Sequence, residues 1–183
     1  MKEDDLKFNL QEKYTELAKK SLVRVQYSCS GNSSGIETSD FINYRTALAG
    51  DFPEIVNLLD ECKLPHSDIV PGKQNFIIAE IDRKIIGCAG FEAYNESGLF
   101  RSLGVKPIHR EMKIGIDLLS KVIDLSKENN VDQLYLLTTT ADVYFKKSGW
   151  KVINRNEVPD DILATTEFSS ICPSTAICMM YRF

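Results

Sequence analysis

The stretch LGVKPIHREMKIGIDLL, residues 103–119, decides the fold. It opens as a strand pattern, Pro107 ends that pattern, and an apolar periodicity typical of a helix begins a few residues later. A strand that enters a helix N-terminus in this way predicts an anion site, because the first-turn N–H groups are free and the helix dipole is positive there. Gly115 allows close backbone approach, and Arg110 and Lys113 add positive charge. The same residues also fit a solvated helix start with a glycine that eases packing.

Strand patterns in close succession precede this junction. They are NFIIAEI (residues 75–81), IIGCAGFEAY (85–94) and LFRSLGV (99–105), joined by short polar connectors that favour an antiparallel meander. Upstream, FINYRTAL (41–48) predicts a further strand, and a helix begins near Asp51, with Asp51 and Glu54 as a capping pair.

After the junction the apolar period changes. It predicts a helix over residues 113–128, and QLYLLTTT (133–140) then predicts a strand. A short helix over 141–148 follows, with Thr140 as its N-cap and Gly149 in the C′ position. Residues 150–154 predict a strand, and residues 158–183 predict a short helix, a turn and a final strand. The alternation predicts one mixed α/β domain over residues 41–183.

The first forty residues have a different character. Apolar residues at intervals of three and four predict an amphipathic helix over 5–21, and SCSGNSSGIETSD (28–40) has the composition of a linker. We therefore expect a domain boundary near residue 40, with 1–40 as a helix plus linker. The helix has two open roles, packing on the domain or on a second subunit in a homodimer.

Composition excludes several classes of protein. The chain has 183 residues and a net charge of −4, so it lacks the basic excess that nucleic-acid binding usually requires. No apolar run approaches the ~20 residues of a membrane span, and the acidic start MKEDDLKF is unlike a signal peptide. We expect a cytoplasmic protein without nucleic-acid or membrane partners.

Cysteine and histidine usage argues against a structural metal. The five cysteines are scattered, and with two histidines and no C-x-x-C pair none of the common zinc spacings can form. Cys29, Cys172 and Cys178 are either buried inert thiols or, alternatively, a set of three thiolates for a thiophilic ion.

The junction resembles the acetyl-CoA motif of the GNAT superfamily of N-acetyltransferases, which reads R/Q-x-x-G-x-G/A between a strand and a helix. Residues 110–115, REMKIG, match it except that Lys113 replaces the first glycine, and FKKSGW (145–150) resembles a second family signature. The resemblance implies a mixed, mostly antiparallel sheet of six to seven strands flanked by helices. It also implies an acetyl-CoA cleft where the fourth and fifth strands, residues 99–105 and 134–139, splay apart.

By the same resemblance, the backbone of Leu103 and Val105 pairs with the pantetheine arm, and the Val105 N–H polarises the thioester carbonyl. Thr138, Thr139 and Thr140 fit either β-propensity with an N-cap or a polar ligand contact. The full set of cofactor-binding residues that the resemblance implies is Leu103, Gly104, Val105, Arg110, Glu111, Met112, Lys113, Ile114, Gly115, Thr139, Thr140 and Phe145.

Acetyl transfer to an amine needs a proton acceptor for the nucleophile and a proton donor for the departing thiolate. Many enzymes of this family use a tyrosine as the donor, but Phe145 stands at that position and the adjacent Tyr144 is expected on another face. Either the acid is absent or a different residue serves, with Tyr144 as a candidate. Glu92 is a candidate base because flanking apolar residues are expected to raise its pKa; it fits a solvated strand face equally. Its sequence neighbours do not distinguish the two.

Arg101 lies in a strand expected to be central, where a buried arginine requires an anion. That anion is either Glu92 or a carboxylate of the substrate, and in the second case the acceptor is an acidic amine such as an amino acid. Ser102 and Thr138 complete the predicted substrate-binding set.

The tail narrows the resemblance. The run T-x-E-F…C-P-x-[ST]-A-x-C-M over residues 166–179 is similar to the arsenic-resistance-associated GNAT acetyltransferases, and residues 12–31 resemble the opening of arsenite methyltransferases. The methyltransferase body is absent, so methylation is not assigned. The implied acceptor is an amino-acid-like arsenic or phosphinate compound. The alternative function is a module that senses acetyl-CoA or a metalloid without turnover.

Overall fold

The structure is a computed structural model that describes residues 41–183. The predicted helix over 5–21, the linker, the boundary near residue 40 and Cys29 lie outside the described residues. Within the described part, no helix is long and apolar enough to cross a membrane.

Seven strands form one sheet within residues 41–183, in the order β1-β2-β3-β4-β5-β7-β6. Every neighbouring pair is antiparallel except β4 and β5, which are parallel. This arrangement confirms the predicted mixed, mostly antiparallel sheet. The strands are β1 (Asn43–Thr46), β2 (Asn75–Ile81), β3 (Lys84–Tyr94), β4 (Ser97–Val105), β5 (Gln133–Thr138), β6 (Lys151–Val152) and β7 (Ile177–Arg182).

The helices cover both faces of the sheet. They are α1 (Phe52–Glu61), α2 (Ile114–Glu128), α3 (Asp142–Lys147) and α4 (Asp160–Leu163), with a six-residue 3₁₀ segment at Pro107–Met112 and a π-turn at Glu167–Ile171. Helix α1 packs on one face of β2 and β3, and α2 packs on the other. A third apolar cluster joins α4 and the π-turn to β4, β5 and β7, on the same side as α1.

The sheet opens between β4 and β5. These strands pair only over Ser97–Leu99 and Gln133–Tyr135, so within residues 41–183 the rest of β4 has no strand beside it on that edge. Gly98 sits in the closed part, where a Cβ would lie 2.7 Å from the Leu134 side chain. The remainder of β4 therefore presents backbone groups to the gap.

A β-bulge distorts β4 where the gap begins. Arg101 pairs with Gly90 and Gly104 pairs with Cys88, so two residues of β4, Ser102 and Leu103, oppose one residue of β3. Ser102 adopts a φ of 59°, which is left-handed backbone. The bulge releases the Leu103 backbone from the regular ladder just before the chain reaches the junction with α2.

Two predicted caps are wrong because other groups bind the side chains or the amides concerned. Asp51 makes no side-chain cap on α1; its carboxylate is bound by Arg45, and Glu54 instead accepts the Ile85 N–H. Thr140 does not cap α3. The residue before α3 is Ala141, and its N–H donates to the Thr138 hydroxyl at 3.0 Å. Gly149 has a φ of 89°, in agreement with its predicted place after the helix.

Candidate active site

The junction between β4 and α2, residues 103–115, is the first half of the candidate site. Lys113 precedes α2 with φ 61° and ψ 10°, the left-handed conformation that glycine adopts most easily. The amides of Ile116 and Asp117 both donate to the Lys113 carbonyl, whereas those of Ile114 and Gly115 belong to the first turn and have no intrahelical acceptor. The lysine thus keeps the backbone shape of the motif glycine that it replaces.

The side chains of the junction have separate roles. Arg110 is exposed and its Nε donates to the Val105 carbonyl at 3.3 Å, which fixes the start of the guanidinium beside the gap. Glu111 and Met112 are exposed, and the side chain of Ile114, the first residue of α2, is fully buried. Of the predicted cofactor residues here, Ile114 offers only its backbone amide.

The edge of β4 that faces the gap carries the Val105 amide. Lys106 N–H donates to the Ile86 carbonyl at 2.9 Å, and Val105 stands opposite Gly87. Because alternate residues of an antiparallel pair direct their N–H and C=O groups to opposite edges, the Val105 groups point away from β3 and toward the gap. Gly104 is buried, with Cys62 and Leu64 next to its Cα.

The other predicted cofactor contacts lie around the start of α3. Thr139 and Thr140 form an exposed bend, and the Thr138 hydroxyl is occupied by the Ala141 N–H. Phe145 is 6% exposed and its ring contacts those of Phe100 and Trp150, so its side chain belongs to the aromatic core.

The ring of Tyr144 packs on this core, and its hydroxyl lies against α2. Its hydroxyl oxygen lies 3.1 Å from the position that a Cβ on Gly115 would take, beside the first turn of α2. The oxygen is buried and has no hydrogen-bond partner within residues 41–183. Burial and the nearby charge of Asp117 raise the pKa of this phenol, so it stays protonated.

A buried group of charges, here called the charge cluster, is the second half of the candidate site. Arg101 is 3% exposed and forms two bonds of 2.6 Å to the Asp68 carboxylate. It also donates to Glu92 at 2.7 Å and lies 3.2 Å from Glu167. Of the two partners left open by the sequence, Glu92 is in contact with Arg101, and two further carboxylates join it.

Glu92 differs from the sequence-based expectation. Burial acts to raise its pKa, but hydrogen bonds from Tyr94, Gln74 and Arg101 outweigh burial, and the pKa lies below its usual value. The expected raised pKa is therefore wrong. The reason is that donors from three segments of the chain stabilise the ionised form.

Glu167 is the residue that sequence reasoning missed as part of the site. It is 8% exposed in the π-turn, and burial raises its pKa although Arg101 opposes the shift. Within the described part of the chain, its Oε2 is ion-paired with Arg101 at 3.2 Å and accepts no hydrogen bond of regular geometry. Its Oε1 lies 3.6 Å from the Cys172 thiol. Glu167 is part of the T-x-E-F run noted in the sequence, but no sequence pattern indicates that it contacts Arg101.

The cysteines of the described part are free thiols near these two halves. Cys62 and Cys88 donate to the carbonyls of Val105 and Ser102 at 3.5 Å each. Burial raises the pKa of Cys172 and of Cys178, each to about 11. Within residues 41–183 no group of three or more His, Cys, Asp or Glu side chains is placed to hold a metal ion.

The gap, the bulge and the helix junction lie in a region that matches a known family. Residues 72–152 match the family model described as the acetyltransferase (GNAT) domain. This part of the chain is therefore similar to the GNAT acetyltransferases. The matched region spans β2 to β6 and includes the junction, the start of α3, and Arg101 and Glu92 of the charge cluster.

Relatives of the chain are amino-acid acetyltransferases. The protein of that name from Vibrio atlanticus (strain LGP32) is 34% identical over 86 residues, which cover 46% of this chain and 19% of the relative. That from Actinobacillus pleuropneumoniae serotype 3 (strain JL03) is 25% identical over 150 residues, covering 77% of this chain and 34% of the relative. The chain therefore spans about a fifth to a third of the length of these relatives.

A solved structure supports the fold of the chain. The N-acetylglutamate synthase from Neisseria gonorrhoeae, complexed with coenzyme A and N-acetyl-glutamate, superposes with a TM-score of 0.68 at 23% identity. The match covers 78% of this chain and 35% of that one. At this identity the likeness establishes a GNAT fold for the chain.

Proposed function

We propose that this protein is an acetyl-CoA-dependent N-acetyltransferase that acetylates a small amine by direct attack on the thioester. The observation that carries the proposal is the unpaired edge of β4, which opens beside a helix N-terminus with free first-turn amides. A thioester with a phosphate-bearing tail fits both features at once.

The residues at the junction have complementary parts in binding acetyl-CoA. The first-turn amides of Ile114 and Gly115, with the charge of Arg110 and Lys113, hold the pyrophosphate. The exposed backbone of Leu103 and Val105 takes the place of a strand partner for the pantetheine amides. The Val105 N–H points into the gap, where it donates to the thioester oxygen as negative charge develops on it.

The reaction moves one proton from nitrogen to sulfur. The amine nitrogen bonds to the acetyl carbon, the C–S bond breaks, the nitrogen loses a proton and the departing thiolate gains one. Glu92 is a poor acceptor for the nitrogen's proton because four donors, including Lys73 at 3.4 Å, already surround its carboxylate. Glu167 is the better acceptor, since burial raises its pKa and its Oε2 has only the ion pair with Arg101 at 3.2 Å, whereas Glu92 has four donors.

The acceptor is proposed to be an amino acid or a close analogue, as the names of the relatives suggest. Arg101 is a weaker candidate for binding its carboxylate than the sequence implied, because Asp68, Glu92 and Glu167 already surround the guanidinium. Ser102 and Thr138 remain proposed contacts at the mouth of the gap. An acidic acceptor would have to displace one of the three carboxylates.

An arsenic- or phosphinate-bearing amino acid is the narrower acceptor that the tail suggests. The structure gives the tail residues a packing role as well, because Phe168, Ala176, Cys178 and Met179 are buried. Such acceptors therefore belong in a screen beside ordinary amino acids, where their rates decide between the two.

Calorimetric titration with acetyl-CoA, followed by thiol release with a panel of amino acids, tests the proposal. We expect micromolar binding and turnover with at least one amino-acid acceptor. Turnover should fall in Glu167→Gln, and the decline of its rate at acidic pH should shift. In Glu92→Gln the rate should decline at acidic pH as it does in the unaltered protein. Absence of acetyl-CoA binding by the unaltered protein would refute the proposal.

The second candidate function is an acetyl-CoA or metalloid sensor without turnover. The observation in its favour is that Phe145, at the family's tyrosine position, is a core ring without a proton to donate. Binding of acetyl-CoA with no thiol release across the amine panel would favour this candidate over the transferase.

A further inference from the structure

Tyr144 carries a buried hydroxyl that the reaction described above does not use. Its ring is held by the core, with an edge-on contact to the Phe145 ring at a centroid distance of 5.3 Å. The hydroxyl oxygen has no hydrogen-bond partner within residues 41–183. A buried hydroxyl without a partner has lost its hydrogen bonds to water with no replacement, so its position requires an explanation.

The position of the oxygen points to an anion. It lies 3.1 Å from the site of a Cβ on Gly115, next to an amide that has no intrahelical acceptor. The nearest carboxylate, Asp117, raises the pKa of Tyr144 but is itself bound by the Tyr44 hydroxyl at 2.8 Å. The phenol therefore lies against the first turn of α2 as a protonated donor.

We propose that the Tyr144 hydroxyl donates a hydrogen bond to the pyrophosphate of the cofactor and so positions it, instead of protonating the departing thiolate. The inference rests on the proposed function, because it assigns a residue to the same acetyl-CoA site. It differs from the sequence-based expectation, in which Tyr144 was a candidate acid.

The two roles require different places in the gap. A proton donor to the thiolate has to lie near the Val105 amide, where the thioester is bound in the proposed function. The Tyr144 oxygen instead lies beside Gly115, in the first turn of α2, where phosphate binds. The missing side chain of Gly115 leaves the space that this oxygen occupies.

The test is the variant Tyr144→Phe, titrated by calorimetry with CoA and with pantetheine, which lacks the phosphates. A hydrogen bond to a charged oxygen is worth about tenfold in affinity, so binding of CoA should weaken about tenfold. Binding of pantetheine should change less than twofold. Tyr181→Phe, which removes a hydroxyl from a ring packed on Trp150, is the matched control and should leave both affinities unchanged.

The outcomes separate the possible roles. Equal weakening for both ligands, or no weakening of CoA, would overturn the inference, as would a lower kcat at saturating acetyl-CoA with unchanged CoA affinity. Thermal unfolding of Tyr144→Phe without ligand should occur at a temperature no lower than that of the unaltered protein, because the substitution removes a buried hydroxyl that has no partner. If the unaltered protein binds neither ligand, the proposed function itself fails, and this result is distinct from a failure of the Tyr144 assignment.

Discussion

At the N-terminus of α2, first-turn amides and the Tyr144 hydroxyl lack hydrogen-bond partners within the described part of the chain. In the charge cluster, by contrast, the charged side chains are partners of one another. The guanidinium of Arg101 is enclosed by the carboxylates of Asp68, Glu92 and Glu167, and Oε2 of Glu167 is held by its ion pair with Arg101 alone. The junction is therefore built to bind a charged ligand, and the cluster is built to hold three segments of the chain together. Substitutions in the two regions should separate into losses of affinity and losses of stability.

Arg101→Met should have the largest effect, a loss of about 3–5 kcal/mol in the free energy of unfolding, because it leaves buried carboxylates without their counter-charge. Arg45→Met is the matched control, since Arg45 is also paired with two carboxylates but its side chain is 32% exposed. It should lose no more than about 1 kcal/mol. Urea unfolding measures the free energy of unfolding of both variants. Equal losses would mean that burial of the cluster adds nothing to its contribution to stability.

Gly115→Glu should weaken acetyl-CoA binding by about 100-fold, which is roughly 2.7 kcal/mol. The new side chain meets the Tyr144 hydroxyl and places a negative charge beside the phosphate site. Ser120→Glu adds the same charge to an exposed position about one turn further along α2, and it should change the affinity little. Calorimetric titration compares the variants, and an unchanged affinity in Gly115→Glu would remove the phosphate site from the junction.

Lys113→Gly should raise stability by about 1 kcal/mol, because glycine adopts a positive φ without the strain of a side chain. It should also weaken acetyl-CoA binding several-fold through the lost charge. Lys63→Gly is the matched control, with a φ of 56° in an exposed lysine outside the junction. It should gain similar stability without a change in affinity for acetyl-CoA. An equal loss of affinity in both variants would show that the loss in Lys113→Gly does not come from contact with the ligand.

Glu167→Gln should give the smallest effect, and its sign depends on pH. Folding raises the pKa of Glu167, so the folded state loses stability as the pH rises above the unfolded value of about 4.3. Glutamine does not titrate, so the variant should gain stability relative to the unaltered protein as the pH rises from the unfolded pKa of about 4.3 toward the raised folded pKa. Glu157→Gln should show the opposite slope, because hydrogen bonds from Asn154 lower the pKa of Glu157. Chemical unfolding at several pH values measures both slopes.

The fold was predictable because its signals are local. The meander β2 to β4, helix α2 and strand β5 each carry a period that depends on neighbouring residues only, and the structure places them within a few residues of the predicted bounds. The backbone part of the site was predictable for the same reason. Residues 110–115 specify a turn into a helix, and Lys113 adopts the shape expected of glycine there.

The side-chain part of the site was not predictable because its contacts join distant residues. Asp68 and Glu167 reach Arg101 from positions 33 residues before and 66 residues after it, and no local pattern encodes either contact. Gln74 reaches Glu92 across 18 residues, and its bond helps to lower a pKa that the neighbouring apolar residues suggested would rise. The Asp51 cap failed likewise, through Arg45 on β1.

The order of strands has a consequence for synthesis of the chain on the ribosome. Strand β7 lies between β5 and β6, although both of those are made before it. One edge of β5 therefore stays unpaired until β7 has been translated, after residues 139–176. Strand β6 has no partner in the sheet before then. During that interval the growing chain exposes an apolar strand edge, which makes this the period when the protein most needs protection by chaperones.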